Sequence, residues 1–127
     1  MIYTKEEIKE LENHVFVKSV IDENGIEYDP VFKLWSVMIW LKFPKLTEID
    51  IFEKAGFDMD ILNKKEPRIK IIEWFKLYKM FGADYFIDKD TLNNKRKKQL
   101  LELTIEELRK LNFKESYSEK GYYTKYL

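Results

Sequence analysis

The chain has 127 residues with 23 Lys and Arg against 23 Asp and Glu, one histidine and no cysteine, so it is neutral overall and long enough for one modest core. Those counts exclude disulfides, thiolate metal sites and any imidazole cluster within one chain. With 45% hydrophobic residues, including nine Phe, eight Tyr and three Trp, they also exclude compositional disorder.

No apolar run approaches the roughly 18 residues of a membrane span. Met1-Ile2-Tyr3-Thr4 runs straight into Lys5-Glu6-Glu7 without the apolar segment of a secretory signal, so a cytoplasmic protein with no membrane partner is expected. The charge is unevenly spread. Residues 1–30 hold three lysines against eight carboxylates, residues 67–81 hold four basic groups and one acid, and Lys95-Arg96-Lys97-Lys98 is an unbroken basic run. A basic patch can therefore form on a neutral chain.

In chain order, Thr4 followed by Glu7 has the spacing of a capping box and predicts a helix over residues 5–13. The β-branched stretch from His14 to Val20, the pair Asn24-Gly25 and Ile26-Glu27-Tyr28 together predict a small β-hairpin. Asp29-Pro30 places an N-cap before a first-turn proline. Phe32, Trp35, Ser36, Ile39 and Trp40 then recur at helical spacing until Phe43-Pro44.

Thr47-Glu48-Ile49-Asp50 opens a second core helix that Gly56 ends, and after the connection 57–66 Pro67 starts a third that runs to Gly82. Further on, Asp90 or Thr91 as a cap with Leu92, Leu100, Leu101 and Leu103, and a capping box at Thr104-Ile105-Glu106-Glu107, predict one bent helix or two short ones. The end, "ESYSEKGYYTKYL", has no periodicity and is expected to be a mobile tail able to order on a partner. The expected architecture is mainly α: a three-helix core with an N-terminal helix and small hairpin over residues 1–86, and a C-terminal helix or helical hairpin with its tail over residues 87–127.

The order "YDPVFKLWSV", "TEIDIFEKAGF", "IIEWFKLYKMFG" resembles the helix-turn-helix module of the small first protein of IS3-type transposases and its stand-alone clostridial relatives. The resemblance covers residues 1 to about 86. It rests on Tyr28 with Phe32-Lys33, on Glu48-Ile49 and Ala55-Gly56-Phe57, and on Trp74, Tyr78 and Gly82 at fixed spacing. It implies a DNA-binding domain whose third helix enters the major groove, with no catalysis in this chain; from the residues themselves no metal and no cofactor is expected.

At 100° per residue, Ile71, Trp74, Phe75, Leu77, Tyr78 and Phe81 fall on one arc of that helix, interrupted by Lys70, and form a core face. The opposite arc carries Arg68, Ile69, Ile72, Glu73, Lys76, Lys79 and Met80. The candidate binding residues are Arg68, Ile69, Ile72, Lys76 and Lys79 from this arc, together with the basic Lys70 that interrupts the core face, with a secondary basic patch at Lys95, Arg96, Lys97 and Lys98. Ile69 and Ile72 can touch thymine methyls but supply no bidentate base pairing. Where relatives place basic residues beside the tryptophan, this chain has Glu73 and Phe75.

Two functions from different classes follow. The leading expectation is a non-enzymatic, duplex-DNA-binding protein of a mobile element. The alternative is a phage- or element-encoded inhibitor that uses the same scaffold to bind a nucleic-acid-handling protein such as a CRISPR-type or other defence nuclease. Leu101, Ile105 and Leu108 resemble a short piece of coiled-coil seam, so a homodimer is also considered. His14 is alone and reads as structural. Asp58-Met59-Asp60 lacks the further oxygen ligands of a calcium loop, and no glycine-rich phosphate loop is present.

Overall fold

A computed structural model of the chain describes residues 3–22 and 25–111. Asn24 of the expected turn and the tyrosine-rich end, residues 112–127, lie outside the described residues. The fold is mainly α with one two-stranded hairpin.

Helix α1 (Lys5–Glu12) begins with the expected box, in which Thr4 and Glu7 each accept the other's backbone N–H. Strands β1 (Val17–Asp22) and β2 (Gly25–Tyr28) pair antiparallel, with Val17 opposite Tyr28 and Val20 opposite Ile26. Their inward residues Val17, Ile26 and Tyr28 are buried. The strand starts later than its β-branched composition suggests. His14, Val15 and Phe16 form a turn instead, closed by bonds from His14 N to Leu11 O and from Val17 N to His14 O.

Helix α2 (Pro30–Lys42) is the centre of the molecule: no residue from Pro30 to Leu41 is exposed. A helix apolar on nearly all sides is stable only when other elements surround it. Helix α3 (Glu48–Lys54) is capped by Thr47 and Asp50 in a second reciprocal box and ends before Gly56, whose φ is +91°. Helix α4 (Glu66–Phe81) has its proline in the first turn and is followed by Gly82 at φ +76°. A 3-10 turn (Ala83–Phe86), helix α5 (Lys89–Asn93) and helix α6 (Lys95–Arg109) complete the order.

The caps of the last two helices are Asp88 and Asn94, not Asp90, Thr91 or Thr104. Thr104 lies inside α6, fully buried, and its hydroxyl donates to Leu100 O at 2.7 Å. A threonine can bond back to the preceding turn in this way without ending a helix. The chain therefore breaks at Asn94, whose side chain accepts the Lys97 N–H.

Two ion pairs show how α6 lies on α2. Lys97 Nζ reaches Asp29 Oδ2 at the start of α2, and Lys42 Nζ at its end reaches Glu107 Oε2 at 2.7 Å. Start meets start and end meets end, so the two helices run parallel, which a single tight turn cannot connect; α3, α4 and α5 supply the return. Leu101 and Leu108 belong to the same core as the α2 side chains. Leu101 and Leu108, two of the three residues that resemble a short piece of coiled-coil seam, are thus covered within the chain, while Leu92 and Leu103 stay exposed.

Where α2, α3, α4 and the hairpin meet, the core is aromatic. Trp74 stacks on Phe52 with ring centroids 6.1 Å apart and meets Tyr28 and Phe32 edge-on at 5.3 and 5.7 Å. The Tyr28 hydroxyl donates to Glu66 Oε2 at 3.0 Å, joining the hairpin to the first residue of α4. Burial, reinforced by that carboxylate, pushes the Tyr28 phenol well above its usual range. Trp40 Nε1 donates to buried Glu48 at 3.1 Å, which locks α3 to α2. These contacts fix the axis and rotation of α4.

Candidate nucleic-acid interface

α4 presents two chemically distinct sides. Ile71, Trp74 and Phe75 are buried, with Phe75 against Trp40 at 5.2 Å. Phe75 is therefore a core residue, so the absence of a basic side chain there removes nothing from the outer surface. On the other side Arg68, Ile69, Glu73, Lys76, Lys79 and Met80 are exposed and Ile72 is half-buried. Ile69 is 56% exposed and Met80 71%.

An open depression runs along this side, lined among the described residues by Arg68, Ile69, Ile72, Glu73, Lys76 and Leu77. A second one crosses from α4 to the start of α3, lined by Thr47, Glu48, Ile49, Lys64, Lys65, Arg68 and Ile69. The two share Arg68 and Ile69. The outer surface of α4 thus continues over its own beginning onto the N-terminal turn of α3.

The structure does not gather all six candidate residues. Lys70 is half-buried and lies about 200° around the helix from Arg68, on the side of Leu77 and Phe81, outside both depressions. Lys79 leans over the Phe75 ring, with Nζ 5.7 Å from its centroid, a cation–π arrangement that keeps its charge at the edge of the face. Arg68, Ile69, Ile72 and Lys76 remain as a contiguous group.

Sequence reasoning missed Lys64 and Lys65. They sit in the connection before α4, and only the packing of α3 against α4 shows that they adjoin Arg68. The available signal is the basic pair Lys64-Lys65, immediately ahead of the Glu66-Pro67 start of α4.

Phe81 also departs from its helical-wheel position. It is 55% exposed and stacks on Tyr85 at 5.2 Å rather than entering the core. Gly82 redirects the chain immediately after it, bringing Tyr85 over its ring.

Of the secondary basic run, Lys95, Arg96 and Lys98 are exposed at the start of α6. Lys97 turns inward to Asp29, whose side chain is 4% exposed. The run is therefore divided between a structural residue and three surface ones.

His14 joins the α1–β1 turn to the end of α3. Phe16 N–H donates to Nδ1 at 3.0 Å, which leaves Nε2 to carry the proton and donate to Ala55 O at 3.0 Å. The ring stacks on Phe57 with centroids 3.9 Å apart. Burial depresses its pKa, partly opposed by the bond to Ala55. Asp58 accepts the Asp60 N–H at 2.9 Å, so that carboxylate closes a turn. Among the described residues no helix is long and apolar enough to cross a membrane. No protein-family model, curated protein or solved structure matches the chain.

Proposed function

We propose that this chain is a non-enzymatic DNA-binding protein of a mobile element, acting in the cytoplasm, with α3 and α4 as a helix-turn-helix pair and α4 as the helix that enters the major groove. The observation that carries the reading is the two-sidedness of α4. Trp74, Phe75 and Ile71 anchor one side, and the other is uncovered along its first three turns with Arg68 and Lys76 beside Lys64 and Lys65.

A helix can enter a groove only if one long side is free, and positive charge on both flanks neutralises the phosphates that border the groove. In this reading Lys64, Lys65, Arg68, Lys76 and Lys79 contact backbone phosphates and set register, while Ile69 and Ile72 face the bases. Lys95, Arg96 and Lys98 provide a second phosphate contact from α6.

Binding to duplex DNA measured against salt concentration tests this. Affinity should fall steeply as salt rises, and Arg68→Ala and Lys76→Ala should each flatten that dependence. No retention of duplex DNA at low salt would sink the reading.

One observation favours a second reading, in which the same face binds a nucleic-acid-handling protein as an inhibitor. Ile69 is more than half exposed and the Glu73 carboxylate shares its surface, a mix of apolar and acidic groups suited to a protein partner. A pull-down with and without nuclease treatment separates the two. A stoichiometric protein retained after nuclease supports the inhibitor, and its loss on nuclease treatment supports DNA.

A further inference from the structure

Between residues 66 and 81 the chain contains no Asn, Gln, Ser or Thr. The amide pairing that selects adenine is therefore missing from α4, and the Ser and Thr hydroxyls are missing with it. Beside Arg68, what its first turns offer is apolar. Ile69 is 56% exposed, Ile72 is half-buried three residues on, and both line the depression that holds Arg68 and Lys76.

The surroundings identify what would cover these two side chains. Lys64, Lys65 and Arg68 at one end and Lys76 at the other outnumber the Glu48 and Glu73 carboxylates that line the same two depressions, and this net positive surround complements a polyanion. Within the major groove the exposed apolar group is the C5-methyl of thymine.

We infer that Ile69 and Ile72 make this face a reader of pyrimidine C5-methyl groups, so that its ligand is thymine-rich duplex DNA. Glu73, on the same depression, suits the N4 amino group of a cytosine, which a carboxylate accepts from. This rests on the DNA-binding reading above and adds to it the chemistry by which bases are told apart.

The test uses the full chain and fluorescence anisotropy with four probes: a short alternating A·T duplex, the same duplex with deoxyuridine in place of thymidine, a G·C duplex, and that duplex with 5-methylcytosine. Losing each covered methyl should weaken binding about four-fold, so the thymine duplex binds more tightly than its uracil counterpart. 5-Methylcytosine should strengthen binding to the G·C duplex by a similar factor.

Ile69→Ala should shrink the thymine-to-uracil ratio, and Ile69→Val should largely keep it. Because Ile69 is exposed, both variants leave the core intact. Equal affinity for the thymine and uracil duplexes would overturn the inference while leaving DNA binding standing. Failure to bind any of the four at low salt would overturn both.

Discussion

Lys97 Nζ donates to Asp29 Oδ2 at 2.5 Å across 68 positions of sequence. Asp29 also caps α2 by accepting the Val31 N–H at 2.9 Å, so one buried carboxylate holds the first turn of the central helix and the first turn of α6. Replacing Lys97 by Ala leaves that carboxylate without its cation. The expected cost is about 3 kcal/mol, whereas alanine at Lys95, Arg96 or Lys98 should change stability by less than about 0.5 kcal/mol. Urea unfolding of the four single variants checks this, and equal effects would contradict the division of the basic run.

The neutral tautomer of His14 is required by its two backbone bonds, since a protonated Nδ1 cannot accept from Phe16. Its folded-state pKa lies below the ordinary 6.5. The stability it contributes is therefore complete above pH 6.5 and is lost as pH falls through the folded-state value. It is the single histidine of the chain, so no other imidazole titrates in that window.

Denaturant titrations between pH 7.5 and about 5 should show stability declining in the native chain. His14→Gln should be less stable at neutral pH but flat over the same interval. A second loss belongs to Asp88, whose carboxyl the Lys18 ammonium pulls down to about 2. That contribution is present above 3.8 and disappears as pH falls toward 2.

Gly82 combines φ +76° with ψ −174°, a region that side chains with a Cβ essentially never occupy. A Cβ built there meets no atom within 4 Å, so the penalty of Gly82→Ala is one of backbone geometry alone. Thermal unfolding should report a loss of about 1–3 kcal/mol. An unchanged midpoint would show that the corner between α4 and the 3-10 turn is soft.

The two sides of α4 should separate cleanly under mutation. Trp74→Ala opens a cavity among Tyr28, Phe32 and Phe52 and should cost about 3–5 kcal/mol. Ile69→Ala should alter stability by less than about 0.5 kcal/mol while weakening DNA binding. The pair of measurements, unfolding and duplex affinity, distinguishes a residue that holds the helix from one that uses it.

Local signals make most of this fold legible in the sequence. Capping pairs such as Thr4 with Glu7 and Thr47 with Asp50, and the prolines at positions 30 and 67, mark helix starts because their chemistry acts within one turn. The exact strand start and the caps of α5 and α6 were not legible. They depend on bonds made over distance: His14 is drawn into a turn by Ala55 and Phe57, and Asp88 is held by Lys18 on β1.

The wheel of α4 placed Trp74 and Phe75 inside and Ile69 outside correctly, since helical periodicity is a local property. It could not reveal that Lys64 and Lys65 adjoin Arg68, that Lys97 turns inward, or that Gly82 carries Tyr85 over Phe81. Each of those follows from how separate elements meet.

Whether the uncovered side of α4 binds duplex DNA is tested most directly by the salt dependence of duplex affinity for the native chain and for Arg68→Ala/Lys76→Ala. Log affinity should fall steeply and linearly with log salt, with a slope smaller by about two in the double variant. A slope unchanged by the double substitution, or no duplex binding by the native chain at low salt, would contradict DNA binding by that side.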